Sequence, residues 1–113
     1  MENQSLHDAL KNCSIYCNNC LSSCLKGYNY QNIESCIKIC IDCISICNVS
    51  ADFLARNSLY SRHIMRECVE ICTACAEECE LHSNIDDSCN ECAVACRECI
   101  EECKMFMNQL LIA

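Results

Sequence analysis

One run of residues, Cys-x3-Cys-x2-Cys-x3-Cys, is used four times and restricts the fold more than any other feature of the chain. It falls at Cys13, Cys17, Cys20 and Cys24; at Cys36, Cys40, Cys43 and Cys47; at Cys68, Cys72, Cys75 and Cys79; and at Cys92, Cys96, Cys99 and Cys103. Steps of four, three and four bring a side chain back to the same side of an α-helix, so each run lays its thiols in a row along one helical face. A strand would scatter them over both faces. Four such helices can hide their thiol rows only by turning them toward a common axis. The expected fold is therefore all-α, an antiparallel four-helix bundle with a cysteine-lined core.

The 113 residues suffice for one domain. The pattern predicts helices over about 5–26, 32–56, 58–82 and 84–109. A single Gly and the absence of Pro suit long, uninterrupted helices. With two Phe and no Trp, cysteine must fill much of the core volume, which it can do as a small hydrophobe. Ser5 with Asp8 reads as the start of the first helix and Gly27 as its stop, while Asn32 can cap the second and Asn57 or Ser58 the third. Ser83 and Asn84 open the last turn, and Asp86 and Asp87 suit the positive end of the fourth helix. The first cysteines of the runs lie at 13, 36, 68 and 92, so an αα-hairpin is used twice.

Antiparallel neighbours sort the ends of the bundle. One end gathers Cys13, Cys47, Cys68 and Cys103, and extending the same faces meets Leu10, Leu54, Met65 and Phe106 or Met107, an apolar plug. The other gathers Cys24, Cys36, Cys79 and Cys92, and extension there reaches His82 and the seventeenth cysteine, Cys89, beside Glu80, Asp86 and Asp87. That second end is the expected mouth.

Thiolates favour soft metals, and Cu(I) accepts the linear two-sulfur geometry that a CxxxC pair can supply by adjusting rotamers. The eight CxxxC pairs, joined by CxxC steps, form columns that would take multiple Cu(I) ions per chain. Zinc competes as a ligand of four thiolates, but each such site keeps a charge of about −2, and stacking several in a narrow core would bury repeated charge. On the order of one Cu(I) per thiolate is neutral. Before loading, burial should hold the thiols protonated with raised pKa values. Cages that helical periodicity preforms would take ions without refolding.

The chain begins without a basic region and apolar run of the secretory kind and contains no apolar stretch long enough to span a bilayer, so a cytoplasmic protein without membrane contact is expected. A reducing compartment keeps thiols free for metal, and helical spacing suits disulfides poorly. The net charge of −8 argues against nucleic acid and favours cations. Other readings of the thiols are an iron–sulfur or thiol redox protein and a zinc buffer or copper chaperone. The redox readings need few sites or loop motifs, and the CxxCxxC cluster loop is missing.

The CxxxC and CxxC rows, the run Glu78-Cys79 to His82, and Cys89-Asn90-Glu91-Cys92 at the opening of the last helix resemble the copper storage proteins, specifically their cytosolic branch. The resemblance covers nearly the whole chain. It implies a four-helix bundle that ligates Cu(I) by thiolates, stores or buffers excess copper as a non-enzyme, and assembles as a homotetramer. The run on the second helix is fully regular here, which is a departure from the family.

Several residues carry two readings. Cys89 lies one turn before Cys92 and reads as a further ligand. His82 is either a ligand or gate at the mouth or a charge at a helix C-terminus. Met65 and Met107 are soft donors at positions that packing alone explains. His7 and His63 fall off the thiol faces. The second helix bears a further apolar stripe, Ile37, Ile41 and Ile44 on one flank with Ile39 and Ile46 on the other, and is the expected subunit interface.

Overall fold

The computed structural model describes residues 3–26 and 33–112, with side chains described as far as residue 109. They form α1 (Gln4–Leu25), α2 (Ile33–Ala55), α3 (Ser61–Glu80) and α4 (Asp87–Ile112), with no strand among the described residues. Each helix packs on two neighbours, α1 on α2 and α4, and α3 on α2 and α4, which closes a square of four. The body measures 48 × 20 × 19 Å, so the core is a narrow column. The all-α bundle expected from the thiol spacing is the fold observed.

The thiol rows account for this packing. Every one of the seventeen cysteines is buried and free of disulfides. Around them lie Leu6, Leu10, Leu54, Met65 and Ile100, with Ile37, Ile39, Ile44 and Ile46 packed half-buried from α2. Sulfur thus occupies the middle of the column and aliphatic groups its edges and one end. On the outside, Arg97 of α4 makes a two-pronged ion pair with Glu80 of α3 at 2.8 and 3.0 Å, holding the carboxyl below its usual range.

The helix ends differ from the sequence reading. Ser5 lies inside α1 and gives its hydroxyl to Glu102, while Asn3 precedes the helix with φ 61° and no side-chain cap. Gly27 and Asn32 lie outside the described residues. Asn57 does not start α3; it ends α2. Its φ of 53° is left-handed, its N–H reaches the Leu54 carbonyl at 3.1 Å, and the Ser58 N–H reaches Phe53 at 3.0 Å. This is a Schellman closure, in which Asn takes the place usually held by Gly. Ser58 accepts from the Tyr60 amide at 3.1 Å, one residue before α3, and Ser61 anchors that turn by donating to the Ser58 carbonyl at 2.8 Å. The α4 cap is Asp86, whose Oδ1 accepts the Ser88 amide at 2.8 Å, with Asp87 in the first turn.

A candidate metal centre along the bundle axis

The four rows bring their sulfurs together chiefly across helices. Cys17 lies 3.5 Å from Cys92 and 4.0 Å from Cys75; Cys13 lies 3.8 Å from Cys43 and 3.7 Å from Cys96; Cys43 and Cys47 lie 3.6 and 3.7 Å from Cys72. Among the four-spaced pairs on one helix, Cys68 and Cys72 approach to 3.7 Å. Toward the far end, Cys20 contacts Cys36 at 3.8 Å and Cys89 at 3.7 Å, and Cys24 contacts Cys36 at 3.8 Å. Two sulfurs bridged linearly by one ion would stand about 4.6 Å apart, twice a metal–sulfur bond of about 2.3 Å. The closer spacing seen here suits bent bridges with sulfurs shared among ions.

Buried sulfurs group accordingly. Cys13, Cys47, Cys72 and Cys99 lie with their ligand atoms within 4.8 Å of one another, one from each helix. The same holds for Cys13, Cys17, Cys43 and Cys96; for Cys17, Cys75, Cys92 and Cys96; for Cys20, Cys40, Cys79 and Cys92; and for Cys20, Cys36 and Cys89. Cys13, Cys17, Cys20, Cys92 and Cys96 each belong to two groups, so the groups interlock along the axis. Interlocked groups cannot all be separate closed tetrahedra, the arrangement a structural zinc site requires.

Protonation within this core is uneven. Hydrogen bonding with Cys13 and burial push the thiols of Cys17, Cys47 and Cys72 up, as bonding with Cys20 and burial do for Cys36, and with Cys68 and burial for Cys103. A thiolate surrounded by S–H donors is favoured instead. Thus Cys17 and its neighbours hold Cys13 and Cys75 down, Cys36 and others hold Cys20 down, and Cys103 and others hold Cys68 down. Cys43 also goes down, the upward pull of Cys13 being outweighed by Cys17, Cys47 and Cys72. The uniform upward shift expected from burial alone is therefore corrected: neighbouring thiols act as a local solvent.

The two ends differ in chemistry. Leu6, Leu10, Leu54 and Met65 are buried at the first, with Phe106 and Met107 packed half-buried against the core. At the second, His82 is 5% exposed and its ring Nε2 meets Glu78 at 3.1 Å, while Asp86, 7% exposed, accepts the Ser23 hydroxyl at 2.7 Å. Ser23 was missed as a member of this end, although it sits three residues past Cys20 and could have been placed on the core side by that spacing; Asp86 lies at the end where the sequence placed it. Cys89 joins Cys20 and Cys36 in the buried group, while His63 is exposed and His7 half-buried.

Comparisons with known proteins agree with this geometry. The sequence profile of the copper storage protein family (Csp) matches residues 1–108. An uncharacterized cysteine-rich protein of Bacillus subtilis strain 168, YhjQ, is 32% identical over 77 residues, 68% of this chain and 71% of that one. The Cu(I)-bound copper storage protein BsCsp3 superposes with a TM-score of 0.87 at 30% identity, covering 93% of this chain and 97% of that one. A cytosolic copper storage protein from Streptomyces lividans loaded with five coppers gives 0.86 at 28% identity, covering 91% and 89%. With its thiol rows turned inward and its sulfur groups interlocked, the chain belongs to the copper storage protein family.

Proposed function

We propose that the chain stores and buffers copper by taking multiple Cu(I) ions into the sulfur column, where the thiolates of Cys13, Cys17, Cys20, Cys24, Cys36, Cys40, Cys43, Cys47, Cys68, Cys72, Cys75, Cys79, Cys89, Cys92, Cys96, Cys99 and Cys103 hold them. The observation that carries this reading is the interlocking of the buried groups. Each arriving ion displaces protons and leaves a nearly neutral copper–thiolate unit, so filling one group does not charge the next. Neither a redox protein nor a chaperone needs so long a run of enclosed sulfur.

His82 supplies a nitrogen donor at the polar end, the proposed mouth of the column, where Cys24, Cys36 and Cys89 are the outermost ligands. The family points to storage and not catalysis, and no residue outside the column is assigned a reaction. The cytosol is the proposed location: the thiols need a reducing compartment to stay free, the Streptomyces relative is cytosolic, and no described helix is long and apolar enough to cross a membrane. A homotetramer built on α2 is proposed from Ile41 and Val49, which are exposed on a helix whose other isoleucines are half-buried.

The test is anaerobic titration of the metal-free protein with Cu(I) against a competing chelator, with Zn(II) in parallel. Many Cu(I) ions per chain, held in preference to zinc, are expected. Uptake of one or two ions, a coloured iron–sulfur cluster, or preferential retention of zinc would overturn the proposal.

A further inference from the structure

The geometry points to a mixed thioether–thiolate Cu(I) site that closes the column at its apolar end, formed by Met65 with Cys68 and Cys103; it rests on the Cu(I) reading above. Met65 stands three residues before Cys68 and so continues the α3 thiol row by one further step. It is fully buried. The Cys103 thiol donates to its Sδ at 3.8 Å, and Cys68, one step further along the α3 row, is the thiol that acts most strongly on Cys103.

A methionine serving only as filler presents its methylenes and methyl group to its neighbours, and its sulfur need meet no donor. Here the sulfur lone pair faces the proton that an incoming ion would replace. Sulfurs 3.8 Å apart, each about 2.3 Å from one ion, subtend an angle of about 110°, far from the straight line of a two-sulfur pair and leaving room for a further sulfur. The Cys68 thiolate supplies the third sulfur.

The chemistry of the donor set suits the place. Thioether and thiolate sulfurs both select Cu(I). As the ion binds, Cys68 and Cys103 release their protons to solvent, while Met65 contributes a lone pair and has no proton to lose. A third negative donor would be costly in this dry, aliphatic layer beside Leu10 and Leu54. A neutral sulfur adds a ligand without adding charge. Of the other positions that continue the rows here, Leu10 of α1 and Ser50 of α2 offer no soft donor, and Met107 of α4 is only half-buried against the core, whereas Met65 is fully enclosed.

The test labels the protein with selenomethionine, fills it with Cu(I) under anaerobic conditions, and records selenium-edge X-ray absorption for the natural sequence and for Met65→Leu, with copper per chain measured on both samples. The expected result is a copper neighbour at bonding distance from selenium that disappears in Met65→Leu, together with a capacity lower by about one ion. Full copper loading without a selenium–copper neighbour, or a neighbour that persists in Met65→Leu, would overturn the site while leaving Cu(I) storage standing. Failure of both samples to take up copper would overturn the storage reading, and this site with it.

Discussion

A cysteine in this core does two jobs that conflict in most proteins: it packs as a small hydrophobe and remains available as a ligand. Because the sulfurs belong to overlapping groups, removing two of them should not abolish binding. Cys75→Ala with Cys79→Ala should lower capacity by about one or two ions, with circular dichroism of the metal-free protein unchanged. Loss of nearly all capacity would mean that the ions form one indivisible cluster. Which residues carry sulfur inward was legible from spacing alone. Which sulfurs touch was not, because helical periodicity fixes neighbours on one helix, whereas contacts such as Cys17 with Cys92 depend on the rotation and level of two helices. The lowered thiols of Cys20 and Cys75 were hidden for the same reason: the S–H neighbours that stabilise them most, Cys36 and Cys17, lie on other helices.

At the scale of the helix, faces were readable and ends were not. The chain offers Ser5, Asn57, Ser58 and Asp86 as capping types, and propensity cannot say which side of a boundary each serves. The structure gives Asn57 to the end of α2 at φ 53° and Asp86 to the start of α4. Asn57→Ala should therefore cost about 1–2 kcal/mol, the penalty of a left-handed alanine, whereas Asn57→Gly should be close to neutral. Urea denaturation of the metal-free protein measures both, and equal effects would remove Asn57 from that role. On α2, Ile41→Glu should split the proposed tetramer while leaving copper capacity mostly intact. An unchanged mass in light scattering would place the subunit interface elsewhere.

For the whole molecule, the sulfur column links stability to protons and to metal. Ten core thiols are shifted above the ordinary value of 9.0 and five below it. The raised group contributes stability that is complete below the unfolded thiol value and is lost as pH climbs toward the folded values. The lowered group works in the opposite sense, its contribution being complete above the unfolded value and lost as pH falls. Above about 9 the lowered thiols' contribution is already complete and only the raised ones still differ from the unfolded chain, so the metal-free bundle should lose stability as pH rises past that value, each raised thiol contributing at most about 1.4 kcal/mol per pH unit. Thermal unfolding across that range measures the slope, and copper loading, which removes the titrating protons, should flatten it.

The central claim is that copper lies inside, in a column that exists before the metal arrives. Crystals of the metal-free protein soaked anaerobically in a cuprous salt test it most directly through the anomalous signal at the copper edge. The expected map has a file of copper peaks along the bundle axis, each within bonding distance of two or three cysteine sulfurs, with the helices where they stood before soaking. Peaks confined to the outer surface, or thiols turned toward solvent, would contradict it.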